Sequence, residues 1–248
     1  MLVAAAVCPC PPLLVPEVAA GAAAELDDLR RACADALAVV AASRPDRLLA
    51  VGPAHRLVDH PGDEADVTHY PQGAAGSFRG FGVDRRVRLG TAGAAPAEGD
   101  GPPLPFPLAV GAWLLEHVRW TAAPVTGLAV GASLSPRRCL ALGREAVAGA
   151  ERVALLVLGD GSACRSVKAP GYLDERAAPF DAAVSAALAA ADTTALAGLD
   201  PDLARQVQAA GRAPWQVLAG AAEGARLGGT LHYDAAPYGV AYLVASWS

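Results

Sequence analysis

Short apolar runs built almost wholly from Val, Leu and Ala alternate along this chain with longer Ala-rich amphipathic stretches. That alternation admits few folds. The runs at 2–7, 47–51, 125–130, 153–158 and 240–246 are the expected strands, each too short for a helix and too uniformly apolar for a sheet with one wet face. Strands of that kind are buried on both sides, which happens when helices cover a parallel sheet above and below. The expected fold class is therefore α/β, a mostly parallel central sheet with helices on both faces. A chain of 248 residues suits one such core, so residues 1–248 are read as a single domain.

Pro16 to Ala42 is expected as one helix, with Glu25, Asp27, Asp28, Arg30 and Arg31 on its wet side. Further helices are expected over 107–118, from Ser135 as N-cap and Pro136 as first helical residue to about 150, and over 178–191, 201–210 and 214–222. The stretch from about 60 to 105 departs from the pattern. It is rich in Gly, Pro, Asp and Arg, has one strand-like piece at 83–89, and is expected to be a loop-rich excursion on the sheet's rim.

A formal net charge of -5 with a single lysine, Lys168, and scattered arginines leaves no basic stripe to follow a phosphate backbone, so no nucleic-acid partner is expected. Every apolar stretch is broken by Pro or charge well before the ~20 residues a membrane span requires. The apolar start, MLVAAAVCPCPPLLVPEV, meets no positive charge before Arg30 and is interrupted by four prolines, so it is expected as a first strand, not a leader. Five cysteines, an odd number, do not form a secreted disulfide framework. A cytoplasmic setting is expected.

In open α/β sheets ligands bind beyond the carboxyl ends of the strands. Those junctions hold the chain's unusual residues: Cys8-Pro9-Cys10-Pro11-Pro12, Gly52-Pro53-Ala54-His55, and Gly159-Asp160-Gly161-Ser162-Ala163-Cys164-Arg165; His232-Tyr233-Asp234 precedes the last run. Each has an ordinary alternative. Cys8 reads as a core thiol, and Cys10 as either packing or functional. His55 either caps a backbone group or binds a ligand. Asp160 is either a turn residue bonding its own backbone or a site carboxyl, and Asp234 reads first as a structural cap. His60, His69 and His117 are read as surface residues, and Trp113, Trp120, Trp215 and Trp247 as core residues or, where exposed, anchors of a homo-oligomer. The glycines near Asp160 lack dinucleotide-binding or P-loop spacing, and Asp160-Gly161-Ser162 is not a nucleophile elbow.

Taken in order, Pro9-Cys10-Pro11-Pro12, Gly52 to His55, Gly159 to Ser162, Pro179-Phe180-Asp181 and Pro237 to Val244 resemble the class III extradiol ring-cleavage dioxygenase superfamily, whose fold is shared with the Memo-like proteins. The resemblance implies a mononuclear Fe(II) held by two histidines and a carboxylate, and a catechol-type aromatic substrate. Carried onto this chain, His55 matches a metal histidine, Cys10 stands where another would be, and Asp234 stands in for the carboxylate. Ala163 or Cys164 replaces a proton-transferring histidine, leaving Asp160, Ser162 and Cys164 as candidate catalytic residues. A thiolate at Cys10 is softer than imidazole and shifts the preference from iron toward zinc. The expected function is a divergent metal-dependent oxidoreductase of this type. The alternatives are a non-catalytic scaffold, binding a small molecule or protein partner and needing no metal, and a zinc-dependent hydrolase-like enzyme using Cys10, His55 and either Cys164 or Asp160. For an aromatic ligand, Phe106, Tyr172 and Tyr238 are the residues available for stacking.

Overall fold

The computed structural model describes residues 1–54, 67–90, 102–149 and 152–248. Strand β1 (Leu2–Cys8) pairs in parallel with β7 (Val153–Leu158), β7 with β2 (Arg47–Pro53), and β2 with β6 (Val125–Val130). All six residues of β7 are buried, as a strand covered on both faces requires. Around this parallel core, β3 (Val67–Tyr70) adds antiparallel to β6, while β9 (Tyr242–Trp247) and β8 (Gly229–Ala235) extend the other edge antiparallel. The sheet of seven strands runs β3-β6-β2-β7-β1-β9-β8, and β4 (Ala75–Ser77) and β5 (Arg86–Arg88) form a separate small ribbon.

The pleat divides the side chains cleanly. Ala4, Ala6 and Cys8 of β1 point to the side covered by α2 (Asp27–Ala42) and α3 (Phe106–His117). Ala5 and Val7 point to the opposite side, covered by α4 (Pro136–Val147), α5 (Ala177–Ala190) and α8 (Arg212–Ala221). Truncating one of the fully buried leucines here, such as Leu155 or Leu158, costs about 2–5 kcal/mol. Ser135 caps α4 as its sequence signals: the Ser135 hydroxyl accepts from the Arg138 amide at 3.3 Å, with Pro136 at the first helical position.

Two expectations need correction. Pro16 to Ala42 is not one helix: α1 (Pro16–Ala19) gives way to a 3-10 stretch, Ala20–Leu26, before α2 begins. Ala20 has a φ of 49°, a conformation a helix cannot contain, and Gly21 follows it. The His232-Tyr233-Asp234 segment, expected as a junction ahead of the last strand with Asp234 as a cap, is the body of edge strand β8. The short helices α6 (Thr193–Ala197) and α7 (Pro201–Gln206) complete the chain, each opened by an aspartate, Asp192 or Asp200, accepting from backbone amides of the first turn. Within the 60–105 excursion, β3 belongs to the main sheet and His69 is exposed on it. His117 is also exposed, with its ring stacked 5.0 Å from that of Trp113. All four tryptophans are buried, so none is an exposed anchor.

Candidate functional site

The helix after β1 lies on one face of the sheet and the helix after β7 on the other, so the chain leaves these neighbouring strands in opposite directions and their carboxyl ends are a topological switch point. That is the position where open α/β sheets take ligands. Beyond β7 the chain crosses over the end of β1. The Gly159 amide donates to the Cys8 carbonyl at 3.0 Å, and Gly161 and Ser162 then pair with Ala241 just ahead of β9, in bonds of 2.8 Å each. This crossing needs a glycine at 159, because a Cβ there would lie 2.4 Å from the Cα of Gly211.

Asp160 is carried on this crossing. Its carboxyl does not bond its own turn; Oδ1 accepts the Cys10 amide at 2.8 Å, 150 residues away in sequence. Its backbone carbonyl accepts from the Gly211 amide at 2.9 Å. Burial pushes the carboxyl up to about 7, with the Cys10 hydrogen bond pulling in the other direction. A carboxyl so tuned holds a proton loosely at neutral pH and is suited to proton transfer.

Cys10 is 2% exposed, with its thiol pushed well up by burial and by the adjacent Asp160. It packs with Cys8 and Cys33 on the α2/α3 side of the sheet. Ser162 is buried as well. Its amide donates to Asp181 Oδ1 at 2.8 Å and its hydroxyl to Oδ2 at 2.6 Å, and Arg165 reaches Oδ2 at 3.1 Å. Asp181, 1% exposed at the start of α5, therefore pins the crossing from below, and Ser162 is a fastening point. Cys164 packs on the α4/α5/α8 side, its thiol raised by burial and donating toward the Gly171 carbonyl at 3.5 Å. Asp234 is exposed on edge strand β8, where it accepts from Ser185 of α5 at 2.6 Å. It is neither a turn cap nor a neighbour of Cys10.

Thus the structure brings Cys10 and Asp160 together and separates them from Cys164 and Asp234, which lie toward the opposite face. The expectation for His55 lies outside the described residues. Among those residues no three His, Cys, Asp or Glu side chains form a group able to hold a metal ion. Two residues of the site escape a reading of the sequence. Asp181 stands in the Pro-Phe-Asp helix start, which is the available signal. Tyr242 looks like an ordinary strand aromatic but lies 2% exposed beside Asp160 and Cys10. Of the aromatic residues expected to be available for stacking, Tyr238 donates its hydroxyl to Glu25 at 2.9 Å, Phe106 meets Phe81 edge-on with ring centres 5.7 Å apart, and Tyr172 is 65% exposed on the loop after Cys164.

No protein-family model matches the chain, and no curated protein does. Among solved structures it is similar to the crystal structure of uncharacterized protein JW3007 from Escherichia coli K12, with 13% identity over 99% of each chain and a TM-score of 0.52. That likeness covers the whole α/β domain and is a likeness of fold.

Proposed function

We propose that the chain is a divergent class III extradiol dioxygenase-like protein that takes a small hydroxylated aromatic molecule at the carboxyl ends of β1 and β7. Asp160 is the group that exchanges a proton with it. The observation that carries this reading is the Asp160 carboxyl, held by the Cys10 amide at the strand ends and titrating about 7. A general acid or base of that kind contributes on the order of 10²–10⁴ in rate.

The described residues do not by themselves make the Fe(II) or zinc set implied by the resemblance. The Cys10 thiol is protonated and buried, while Asp234, on edge strand β8, is engaged with Ser185 of α5. Proton transfer at Asp160 is the part of the chemistry that the described residues themselves supply. A zinc site shared by Cys10 and Cys164, as the hydrolase-like alternative needs, is opposed by their packing in separate cores on the two faces. The non-catalytic scaffold is the second reading, favoured by the neutral thiol at Cys10 where the resemblance expects an imidazole.

The test is elemental analysis and catechol-dependent oxygen uptake on anaerobically purified wild type, Asp160→Asn and His55→Ala. The proposal expects metal near one equivalent in wild type, lost in His55→Ala and kept in Asp160→Asn, with uptake lost in both variants. Wild type with neither metal nor uptake turns the assignment to the scaffold.

A further inference from the structure

Tyr242 is the first residue of β9 and lies at the same strand ends as Asp160. The Gly161–Ala241 backbone pair sits between them, so the two side chains flank one fixed backbone bridge. The phenol is 2% exposed, yet its hydroxyl has no hydrogen-bond partner among the described residues. That is unusual, since buried tyrosine hydroxyls ordinarily find a partner. Among the described residues the buried side-chain atoms that are both sealed and unpaired are Arg85 Nε and Trp215 Nε1, so the Tyr242 hydroxyl keeps a little surface open to solvent. Burial holds the phenol well above its usual range, and the charge of Asp160 adds to that ahead of Tyr238 and Cys10. The Cys10 amide occupies Asp160 Oδ1, and the described residues leave Oδ2 unengaged.

We propose that the Tyr242 hydroxyl and the free oxygen of Asp160 form a two-point binding site for one hydroxyl group of a small phenolic ligand, Tyr242 donating and Asp160 accepting. A phenolic hydroxyl is complementary to that pair because it accepts through oxygen and donates through hydrogen. A site built this way rejects the analogue without the hydroxyl, since both protein groups then stay unpaired. Tyr242 is thereby a ligand-touching residue. This rests on the small-aromatic reading above and deepens it, without depending on a metal or on oxygen chemistry.

The experiment measures binding of phenol, catechol and toluene by calorimetry to wild type and Tyr242→Phe, with ring-labelled tyrosine followed by NMR and the melting temperature as a fold control. Tyr242→Phe keeps the ring and its packing. The expected result is that wild type binds phenol and catechol at least about 10-fold more tightly than toluene, that Tyr242→Phe removes most of that preference with an unchanged or higher melting temperature, and that phenol shifts the Tyr242 ring signal. Equal phenol affinity in wild type and Tyr242→Phe overturns the proposal, as does a wild type that binds neither phenol nor catechol and holds water only. Phenol binding that depends on Tyr242, in a protein showing no oxygen uptake with catechol, retains the site and removes the dioxygenase reading.

Discussion

The Cys10 amide and the Asp160 carboxyl, 2.8 Å apart, tie the loop after the first strand to the loop after β7. The bond stabilises the ionised carboxyl, but burial outweighs it, and the group titrates about 7. An aspartate in an unfolded chain loses its proton near pH 3.9. Between about pH 4 and 7 the native state therefore binds more protons than the unfolded state. Stability from this group is full below that window, declines as pH rises through it, and is level above it. The size is on the order of a few kcal/mol. Asp160→Asn is expected to abolish that decline while its side-chain oxygen still accepts from Cys10. Urea unfolding of chelator-treated protein at pH 5 and pH 8 measures this, and equal slopes in wild type and variant would sink the assignment. Asp174, held down to about 2 by Arg176, acts at lower pH with the opposite sign and does not interfere.

Asp181 carries three hydrogen bonds from the crossing loop while almost wholly buried. Replacing it with Ala leaves the Ser162 amide and hydroxyl without partners and strands the Arg165 guanidinium. The expected loss is about 3–5 kcal/mol. Ser162→Ala removes one of the three bonds and leaves the amide paired, so it is expected to cost less, about 1–3 kcal/mol. Denaturant midpoints at constant m-value compare the two. Similar losses would show that Asp181 acts through Ser162 alone.

The sheet is legible in the sequence because β1, β2, β6 and β7 are nearly continuous apolar runs, broken only by Arg47 at the start of β2 and Thr126 within β6, a pattern set by burial on both faces. Edge strand β8 is not. Its residues are at most partly buried, with Leu231 packing on one side of the sheet and Tyr233 on the other, and its Gly, His and Asp residues resemble a turn until β9 is there to pair with it. At the site, Cys10 and Asp160 can be named from their place after strands, but their contact spans 150 residues and no local spacing encodes it. Asp234 is misplaced for the same reason as β8. Tyr242 is invisible because a strand tyrosine reads as core, and what distinguishes it is the lack of a partner for its hydroxyl among the described residues, which emerges only once the neighbours are in place.

Helices α4 and α8 meet through glycine. A Cβ on Gly143 would fall 2.0 Å from the Val217 carbonyl oxygen and 2.5 Å from the Ala221 nitrogen, both rigid backbone atoms. Gly143→Ala is therefore expected to push the helices apart and destabilise by about 1–3 kcal/mol or more, despite alanine's better helix propensity. The neighbouring exposed pair, Arg144 with Glu223 at 2.6 Å, makes a control. Arg144→Ala is expected to change stability by less than about 1 kcal/mol. Thermal melts of both variants decide it, and a Gly143→Ala protein as stable as wild type would mean the helices are packed less closely than described.

All five cysteines are buried and free, and burial raises Cys10, Cys139 and Cys164, while Cys33 is pushed up first by its hydrogen bond with Cys8 and then by burial. Reaction with an aromatic disulfide requires both thiolate and access. Chelator-treated native protein at pH 8 is expected to show no fast-reacting thiol, and five after unfolding in urea. This also tests the metal expectation at Cys10. A fast equivalent that appears only after chelation, and is missing in Cys10→Ser, would mean that the metal had held Cys10 as an accessible thiolate, and would return it to the ligand set. Its absence leaves Cys10 as the residue whose backbone, not its sulfur, serves Asp160.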